Sequence, residues 1–375
     1  MASLLKYLDH DLTLSKMSEL MYLKSQETFR PRSYLGMSEV GEDCWRMIWY
    51  RFRNVLNEGN LALNSILAIE DGYKQEDIMA ARLRLLPSVK LDTVDPENGE
   101  QFAFKFFGGH FAGHCDGKII GILEAPKTQH IWENKAVNSK KFEVLKTLIA
   151  DHKIGEKKAL AAWDPSYYAQ AIIYMYAANL TRHYLTVETP GGRDYTSCRT
   201  EADNKVAQSL MSKAEAIIKA DSPLTRMSNN RTFYKCGWCK HKEICFDGKV
   251  PDVNCRTCCA SEPNMKSTDG IASWKCYKKD CNFTGQGKPC NLYIMLNTLV
   301  PYKVIDYDKL SSPPNWIKYQ DDKENIFYNV NSESKKIPGS ICLTGDELKA
   351  LDYFELVFSN KEKKEKQKEK LSGEI

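Results

Sequence analysis

The sequence has no run of 18 or more apolar residues, which excludes the pattern of a membrane-spanning helix. Its N-terminal segment also lacks the basic start, apolar middle and small-residue cleavage site of a signal peptide. An excess of one charge is missing as well, since 53 Lys and Arg residues stand against 49 Asp and Glu residues. We therefore expect a cytoplasmic protein whose net charge of +4 permits an anionic partner without arguing for one.

The cysteine content is the unusual feature of the composition. The 375 residues suffice for one sizeable core and one or two small modules, and 42% hydrophobic residues predict a mostly globular chain. Nine of the 13 cysteines lie between Cys236 and Cys290. Disulfides are rarely stable in the cytoplasm, so this concentration predicts metal binding rather than disulfide bonds.

Changes in composition and in apolar spacing divide the chain into five predicted regions. They are a short N-terminal helix (1–25), an α/β core (26–250), a cysteine-rich module (251–300), a small C-terminal extension (301–358) and a charged tail (359–375). Lys and Glu nearly cancel in the tail, which predicts a solvated segment rather than a nucleic-acid-binding arm.

Apolar periodicity predicts the elements of the core. Helices are predicted at 39–58, 65–86 and 140–151, a β-meander at 102–137, a helix at 164–179, a strand at 183–189 and a helix at 200–220. Asp164 precedes Pro165, and a capping residue followed by proline in the first turn marks a helix start. In the C-terminal extension, residues 326–330 have the composition of a strand.

The predicted meander carries two carboxylates and a lysine. Asp116 belongs to segment 113–117, which is predicted to form one strand, and the next strand carries Glu133 and Lys135. Glu133 and Lys135 are two positions apart and therefore face the same side of a strand. Carboxylates hold Mg²⁺ or Mn²⁺, which activates water and shields a phosphate, and an ammonium stabilises the developing charge. The three residues predict a catalytic site for phosphodiester hydrolysis.

Other polar residues are expected near this site. Glu76, on an upstream helix, is a candidate third metal ligand, and Gln170 and Tyr174 are four apart on one helix face, where both can contact a backbone phosphate. His114 faces the same side as Asp116, and a hydrogen-bonding histidine is favoured over a metal ligand. Cys115 is expected to face the opposite side and to have no catalytic role.

An Asp and a Glu-x-Lys pair occur by chance in many proteins, whereas four ordered elements do so much less often. The order here is Gly-x-x-x-Glu, Gly-His-x-Asp-Gly, Glu-x-Lys and Gln-x-x-x-Tyr. It resembles the RecB-like branch of the PD-(D/E)xK nucleases, which includes CRISPR-associated exonucleases and phage recombination exonucleases. The resemblance covers about residues 26–250 and implies a restriction-endonuclease-like α/β core, in which helices flank a mixed sheet.

The same resemblance implies roles for individual residues. In that family the residues matching Asp116 and Glu133 bind metal, and the residue matching Lys135 is catalytic. The residues matching Gln170 and Tyr174 engage DNA. DNA is implied as the substrate by this resemblance alone, and the host cytoplasm is the expected location if the protein is phage-encoded.

The first cysteine group has the spacing C-x₂-C-x₅-C at Cys236, Cys239 and Cys245. Three thiolates need a fourth ligand for a cubane cluster or for tetrahedral zinc, and Cys44 is the natural candidate, although a lone cysteine is often a small buried apolar residue. A remote N-terminal cysteine followed by this spacing resembles the iron–sulfur staple of RecB-like exonucleases, including the AddB subunit. The resemblance implies a [4Fe–4S] cluster at these four cysteines.

The second cysteine group resembles a zinc ribbon. Cys255 and Cys258 form a C-x₂-C pair, and the second pair is either Cys276 with Cys290 or Cys276 with Cys281. We favour Cys290, with Cys281 as the competitor, because the longer spacing resembles a small module that follows some phage nuclease domains. Those modules usually end in Cys-x-x-His, and no histidine follows Cys290 at that spacing.

Basic and aromatic residues are candidates for a strand-binding channel, although a solvated basic face has the same composition. They are Lys135, Lys140, Lys141, Lys146, Trp132 and Tyr167. No base-reading module is evident, so sequence-independent cleavage is expected.

Three classes of function remain open from the sequence. The first is a Mg²⁺- or Mn²⁺-dependent DNA exonuclease in recombination, replication or DNA degradation, with a structure-specific endonuclease as its rival within the enzyme class. The second is a DNA-binding protein with a vestigial nuclease site, and the third is an iron–sulfur redox protein. No ATP-binding loop is present, so a helicase, annealing or recombination partner is expected where unwinding is required.

Overall fold

The protein combines helices with four β-sheets, in a computed structural model that describes residues 12–28, 32–56, 62–321, 323–334, 337 and 340–350. The helices are α1 (Leu12–Thr28), α2 (Trp45–Arg53), α3 (Leu63–Leu83), α4 (Ser139–Ala150), α5 (Gly155–Trp163), α6 (Pro165–Ala177), α7 (Asn204–Lys219), α8 (Tyr234–Gly237), α9 (Lys242–Phe246) and α10 (Gly345–Ala350). Residues 1–11 of the predicted N-terminal helix and the predicted tail 359–375 lie outside these ranges.

The strands number fifteen in the described ranges. They are β1 (Leu35–Gly36), β2 (Lys90–Asp92), β3 (Ala103–Phe106), β4 (Phe111–His114), β5 (Gly117–Ile120), β6 (His130–Ala136), β7 (Arg182–Glu188), β8 (Tyr195–Glu201), β9 (Ser261–Pro263), β10 (Ser273–Cys276), β11 (Cys281–Thr284), β12 (Lys303–Tyr307), β13 (Trp316–Gln320), β14 (Ile326–Val330) and β15 (Cys342–Leu343). Within the same ranges, no helix is long and apolar enough to cross a membrane.

The central sheet has five strands in the order β2-β5-β6-β7-β8. Only β6 and β7 pair in parallel, and the other neighbours are antiparallel. Parallel neighbours require a long crossover, and the chain supplies α4, α5 and α6 between them. The sheet is therefore mixed and flanked by helices, as the sequence analysis expected for the α/β core.

The segment predicted as one continuous meander belongs to two sheets. Strands β3 and β4 pair with β1, whereas β5 and β6 belong to the central sheet. The prediction of one strand over 113–117 was therefore wrong, because β4 ends at His114, β5 begins at Gly117, and Asp116 lies at the junction. Gly113 permits the close approach of helix α6, since a Cβ there would lie 2.9 Å from the Tyr174 ring.

Helix α6 begins where the sequence predicted. The Asp164 side chain accepts hydrogen bonds from the backbone N–H groups of Ser166 and Tyr167, and Pro165 occupies the first turn. Capping satisfies donors that have no partner within the helix and is typically worth about 1 kcal/mol. The start of α6 matters for the site because the following turns carry Tyr167 and Gln170.

Several elements of the core were not predicted, among them the short strands β1 and β2, strand β8 and helix α5. Strand β8 occupies residues assigned partly to a loop and partly to the predicted helix 200–220, which begins only at Asn204. The side chain of Asp203 caps that helix by accepting from Lys205 and Val206. Helix α5 was also missed, and its N-cap residue Ile154 provides no side-chain cap.

The cysteine-rich module and the C-terminal extension share a hydrophobic core with the predicted nuclease region. Trp49, Trp274 and Phe327 belong to one buried cluster, although they come from the three different regions. Strands β9, β10 and β11 form a small antiparallel sheet, and β12, β13, β14 and β15 form a four-stranded sheet. The boundaries at 250 and 300 remain predictions.

Two buried arginines connect the module to the core. The Arg53 guanidinium lies 5.5 Å from the Trp49 ring centroid and 5.0 Å from that of Trp274. Arg256 donates hydrogen bonds to the backbone carbonyls of Phe52, Arg32 and Gly285. Burial and the nearby Arg53 lower the pKa of Arg256 to about 10, so it stays charged at neutral pH.

Arg256→Met is expected to destabilise the protein by at least about 3 kcal/mol, because one buried carbonyl and two partly buried carbonyls lose their donor. Urea unfolding followed by circular dichroism measures the change. Arg231 provides a matched control, since it forms an exposed ion pair with Asp247, and Arg231→Met should leave the midpoint unchanged. Equal midpoints for the two variants would show that Arg256 does not hold the regions together.

His110 forms a second connection between the core and the module. It is fully buried, its Nε2 lies 2.8 Å from the carbonyl oxygen of Ser273, and its ring meets those of Phe52 and Trp274 edge-on. Burial lowers the pKa of His110 to about 4 from its usual value near 6.5. The unfolded chain therefore binds this proton first, and stability is lost as the pH falls from 6.5 towards 4.

His110 alone should account for a loss of about 2 kcal/mol between pH values of about 7.5 and 5. In His110→Gln the loss over this range is expected to be smaller by that amount, because glutamine does not titrate. Urea unfolding at the two pH values measures it, with the exposed His152→Gln as control. The same pH dependence in His110→Gln as in the unmodified protein would contradict the assignment.

Candidate functional site

Two carboxylates and a lysine converge at the middle of the central sheet. Strand β6 carries Glu133 and Lys135 on one face, and the Lys135 Nζ lies 2.6 Å from the Glu133 Oε2. The same Nζ lies 3.9 Å from the Asp116 Oδ2. Residues two apart on a strand share a face, so the local structure alone brings Glu133 and Lys135 together.

Asp116 is held in place by backbone hydrogen bonds although it lies between strands. The N–H of Asn134 donates to the Asp116 Oδ2 over 2.8 Å, and the N–H of Asp116 donates to the Glu133 Oε1 over 3.4 Å. This reciprocal arrangement fixes both carboxylates relative to strand β6. The junction between the two sheets thus positions Asp116 opposite Glu133.

Helix α6 covers the same face of strand β6. The Gln170 Nε2 lies 3.3 Å from the Glu133 Oε2 and 3.3 Å from the Tyr174 hydroxyl oxygen. Gln170 is 8% exposed and Tyr174 is 2% exposed, so both side chains face the carboxylate rather than solvent. Their spacing of four residues on one helix face is as the sequence predicted, and what they contact here is Glu133 and each other.

The electrostatics of the site reflect its crowded charges. Burial and the neighbouring Asp116 raise the pKa of Glu133 to about 8, against the lowering effect of Lys135. Burial also opposes the charge on Lys135, but the attraction of Glu133 and Asp116 outweighs it and raises the pKa of Lys135 overall. Two ionised carboxylates beside one ammonium leave an excess of negative charge, which an additional cation would neutralise.

Glu76 lies within electrostatic range of this group. It extends from helix α3, which packs against strand β6. Burial and the charge of Asp116 raise the pKa of Glu76 to about 7, and Lys135 lowers it. The donor set is therefore three carboxylates, which are the oxygen ligands that Mg²⁺ and Mn²⁺ accept, so the residues present fit such an ion.

A row of cations and aromatic rings extends from Lys135. Its Nζ lies 5.7 Å from the ring centroid of Tyr167, and the Nζ of Lys141 lies 4.5 Å from the same ring and 5.0 Å from that of Trp163. Lys141 is fixed by Asp164, at 2.7 Å. Lysines and half-exposed rings in such a row suit a nucleic-acid strand.

One residue predicted for this channel is not part of it. Trp132 is fully buried, and its indole Nε1 donates to the Thr186 hydroxyl over 3.0 Å. It faces away from Glu133 because neighbouring residues on a strand point to opposite sides. The expectation that Trp132 lines a channel was wrong, whereas Lys140 and Lys146 are exposed on helix α4.

A buried polar network on the far face of strand β6 was missed from the sequence. The Asn134 amide donates to the Glu188 Oε1 over 2.9 Å and accepts from the Thr186 hydroxyl over 2.8 Å. Arg82 lies 3.5 Å from the Glu188 Oε2. The sequence contained a signal for this network, because the polar Thr186 and Glu188 alternate with the apolar Leu185 and Val187 in strand β7. The network supports the strand that carries Glu133.

The isolated residues near Asp116 have structural surroundings. Cys115 is fully buried in the main hydrophobic cluster, and burial raises the pKa of its thiol. His114 ends strand β4, pairs with Ala103 in the sheet register and is exposed to solvent. The sequence analysis expected no catalytic role for Cys115 or His114, and their surroundings give no reason to assign one.

The first cysteine group is brought together from distant parts of the chain. Cys44 is the N-cap of helix α2, Cys236 lies on α8 and Cys245 lies on α9. Burial raises the pKa of Cys236 and of Cys239, and the nearby thiols of Cys44 and Cys245 raise both further. An ion pair between Lys235 and Asp43 joins the same segments. Cys44 and Cys245 therefore lie within electrostatic range of both Cys236 and Cys239, and thiols are the donors that an iron–sulfur cluster takes.

The second cysteine group contains both candidates for the fourth ligand. Burial and the thiols of Cys258, Cys290, Cys276 and Cys281 raise the pKa of Cys255 to about 12. Cys276 and Cys281 are direct partners across the β10–β11 pair. A hydrogen bond from the adjacent Cys259 thiol lowers the pKa of Cys258 to about 7. Structural zinc binds four ligands, and this group contains more than four thiols from which they could come.

The carboxylate group and the two cysteine groups can be compared with the arrangement that a metal ion requires. Across the parts of the chain that the structure describes, no three His, Cys, Asp or Glu side chains are already arranged to hold a metal ion. The thiols and carboxylates are neighbours, and binding would require their side chains to turn towards a common centre.

No protein-family model and no curated protein matches the chain. Similar solved structures include an alkaline exonuclease (LHK-Exo) from Laribacter hongkongensis, at 14% identity and a TM-score of 0.31, covering 50% of this chain and 87% of that chain. LHK-Exo in complex with dAMP matches at 15% identity and a TM-score of 0.33, covering 49% of this chain and 86% of that chain. SSO0001 matches at 14% identity and a TM-score of 0.37, covering 61% of this chain and 96% of that chain. At these values the similarities establish neither a family nor an activity for this chain.

Proposed function

We propose that this protein is a Mg²⁺- or Mn²⁺-dependent deoxyribonuclease of the RecB-like PD-(D/E)xK type, an exonuclease that acts at DNA ends. The observation that carries the proposal is the convergence of Asp116, Glu133 and Lys135. The Lys135 Nζ lies 2.6 Å from a Glu133 carboxylate oxygen and 3.9 Å from one of Asp116. Recombination, replication and DNA degradation are the processes in which such an enzyme acts, with a helicase, annealing or recombination protein as partner.

The metal would be held by Asp116, Glu133 and Glu76. When bound, it supplies Lewis acidity and charge neutralisation to the water and the phosphate. Lys135 places a fixed positive charge beside the carboxylates, where it attracts the scissile phosphate and stabilises its growing negative charge. Gln170 donates to Glu133 and restricts its rotamer, so the carboxylate is oriented before substrate arrives.

Gln170 and Tyr174 have a different immediate role from the one that the resemblance implies. Both are buried beside Glu133, so we assign them to the support of the carboxylate. Contact with DNA is proposed for Lys141 and Tyr167, which lie further out along the row of cations and rings. Phosphates bind lysine, and unpaired bases stack on half-exposed rings.

Two further metal sites are part of the proposal. A [4Fe–4S] cluster at Cys44, Cys236, Cys239 and Cys245 would tie the start of the nuclease region to its end. Zinc would be bound by thiols around Cys255. They are Cys255, Cys258, Cys276 and Cys290, with Cys281 as the alternative to Cys290. Zinc content of Cys281→Ser and Cys290→Ser, measured by mass spectrometry, separates the two alternatives.

The test of the proposed function is a cleavage assay on protein purified without oxygen. Linear and closed circular DNA, single- and double-stranded, are incubated with Mg²⁺ or Mn²⁺, beside Asp116→Asn. Glu143→Gln is a matched control, because Glu143 is an exposed carboxylate of helix α4 paired with Lys146. We expect degradation of linear DNA that is lost in Asp116→Asn and retained in Glu143→Gln.

The other outcomes assign the protein to the rival functions. Cutting of closed circles identifies a structure-specific endonuclease with the same site. Binding of DNA without cleavage under either metal identifies a binding protein whose nuclease site is inactive. Cleavage that survives in Asp116→Asn would remove the proposed site altogether.

A further inference from the structure

The four-stranded sheet of β12, β13, β14 and β15 has one face in the protein core and one face towards solvent. Ile317, Tyr319 and Phe327 are buried in the main hydrophobic cluster. Residues alternate sides along a strand, so Trp316, Lys318 and Tyr328 belong to the outer face, where Val330, opposite Trp316, is buried. Nothing in the catalytic site uses this face.

The outer face carries an aromatic pair with a lysine over it. The rings of Trp316 and Tyr328 lie 5.6 Å apart at an interplanar angle of 64°, and both are partly exposed. Lys318 is directly opposite Tyr328 in the register, and its Nζ lies 5.5 Å from the Tyr328 ring centroid. Ile326, in the next row of the same face, is 43% exposed.

The charge on this face is mainly positive. Among the described residues, neither Lys318 nor Lys303 forms an ion pair within 4 Å. Asp306 lies opposite Lys318 in the register but is paired with Lys309, at 3.1 Å. Lys318 and Lys303 therefore add positive charge, without an ion-pair partner among the described residues, to a face that carries two aromatic rings.

We propose that this outer face, defined by Trp316, Tyr328, Lys318, Lys303 and Ile326, is a second nucleic-acid site that binds an extended single strand of DNA. Unpaired bases stack on aromatic rings, and lysines beside the rings bind the phosphates between those bases. A duplex has its bases already stacked, so it cannot use the rings in this way. A protein partner is less suited, because the centres of protein interfaces are depleted of charged residues.

The site goes beyond the proposed cleavage and does not depend on it. Binding to this face needs no divalent cation and no carboxylate, because rings and lysines alone make the contacts. A strand bound there remains attached to the protein while an end is processed elsewhere on the molecule. Two linked sites raise the effective concentration of DNA at each other.

Fluorescence anisotropy of a labelled oligothymidylate, titrated with the full chain in buffer without Mg²⁺ or Mn²⁺, tests the proposal. A length of about 12 nucleotides suits single-strand sites, which cover roughly 4–16. Trp316→Leu is expected to weaken binding about tenfold, in line with the stacking contribution of a single ring. Lys318→Gln should lower the slope of log affinity against log salt by about 0.7, the value for one lost phosphate contact on a single strand.

Two variants serve as matched controls. Tyr307→Leu removes a ring that is 51% exposed in the same sheet but pairs with Ile317 and so belongs to the other face. Lys219→Gln removes an exposed lysine of helix α7. Both should bind as the unmodified protein does, and thermal unfolding checks that all four variants remain folded.

Lys318 lies on the surface, so its variant remains informative even if Trp316→Leu unfolds. The proposal is overturned if Lys318→Gln leaves the salt slope unchanged, or if Tyr307→Leu weakens binding as much as Trp316→Leu. A duplex that binds as tightly as the single strand, with the same losses, would overturn the single-strand assignment. Failure here leaves cleavage untouched, and failure of cleavage leaves this binding untouched, because the titration contains no Mg²⁺ or Mn²⁺.

Discussion

Lys135→Met should reduce DNA cleavage by at least about a thousandfold while leaving the protein folded. Removal of one preorganised electrostatic contact typically costs 10²–10³ in rate, and Lys135 in addition lies beside both the buried Glu133 and the partly exposed Asp116 carboxylates. Methionine is similar to lysine in length, so the contacts of the aliphatic part of the side chain with its neighbours are preserved. Single-turnover cleavage of a labelled linear DNA at saturating metal measures the chemical step.

Lys157→Met is the matched control for this variant. The Lys157 Nζ lies 2.6 Å from the Glu201 Oε1, the same distance as that between Lys135 and Glu133, but the pair is exposed. Full cleavage in Lys157→Met, with DNA affinity retained in Lys135→Met, would locate the defect in the chemical step. Cleavage in Lys135→Met above about a tenth of the original rate would mean that the lysine is not catalytic.

Cys239→Ser is expected to lose the iron and with it most of the stability of the nuclease region. A cluster at this position closes a loop between Cys44 and the helices α8 and α9, and closing so long a loop is worth on the order of 5 kcal/mol. Iron–sulfur clusters are held by cysteine thiolates, and serine offers only a hydroxyl oxygen in place of the sulfur. Iron content, the brown colour and the urea midpoint are measured together on protein purified without oxygen.

Cys342→Ser is the control, because Cys342 is an isolated cysteine of strand β15 outside both cysteine groups. It should keep iron, colour and midpoint. A Cys239→Ser protein that stays brown and fully folded would show that the assignment of the cluster to these four cysteines is wrong. The nuclease site itself would stand, since Asp116, Glu133 and Lys135 do not touch these cysteines.

Local patterns predicted those parts of the site that depend on local geometry. Glu133 and Lys135 share a face because a strand has a two-residue period, and Gln170 and Tyr174 share one because a helix brings residues four apart together. The Asp164 cap was readable for the same reason. Each of these relations is determined within a few residues of sequence.

Contacts between segments that are distant in the sequence could not be predicted from local patterns. The break between His114 and Gly117 arises because the chain changes sheets, and the alternation of apolar residues continues through it. Strand β8 is rich in Thr, Ser and Arg, as suits a strand at the edge of a sheet, so its composition resembles a loop. The burial of Arg256 depends on carbonyls more than 200 residues away.

The junction at Asp116 has a consequence for metal preference. Glu133 belongs to the central sheet, whereas Asp116 lies between that sheet and the neighbouring one, so a shift of the neighbouring sheet would act on Asp116 against its two backbone hydrogen bonds to strand β6. Mg²⁺ accepts only near-ideal octahedral geometry. On the proposed function, substitutions that shift the sheets, such as at the close approach of Gly113 to Tyr174, would alter discrimination between Mg²⁺ and larger ions without touching a ligand. The selectivity of the enzyme would then be a property of its tertiary packing.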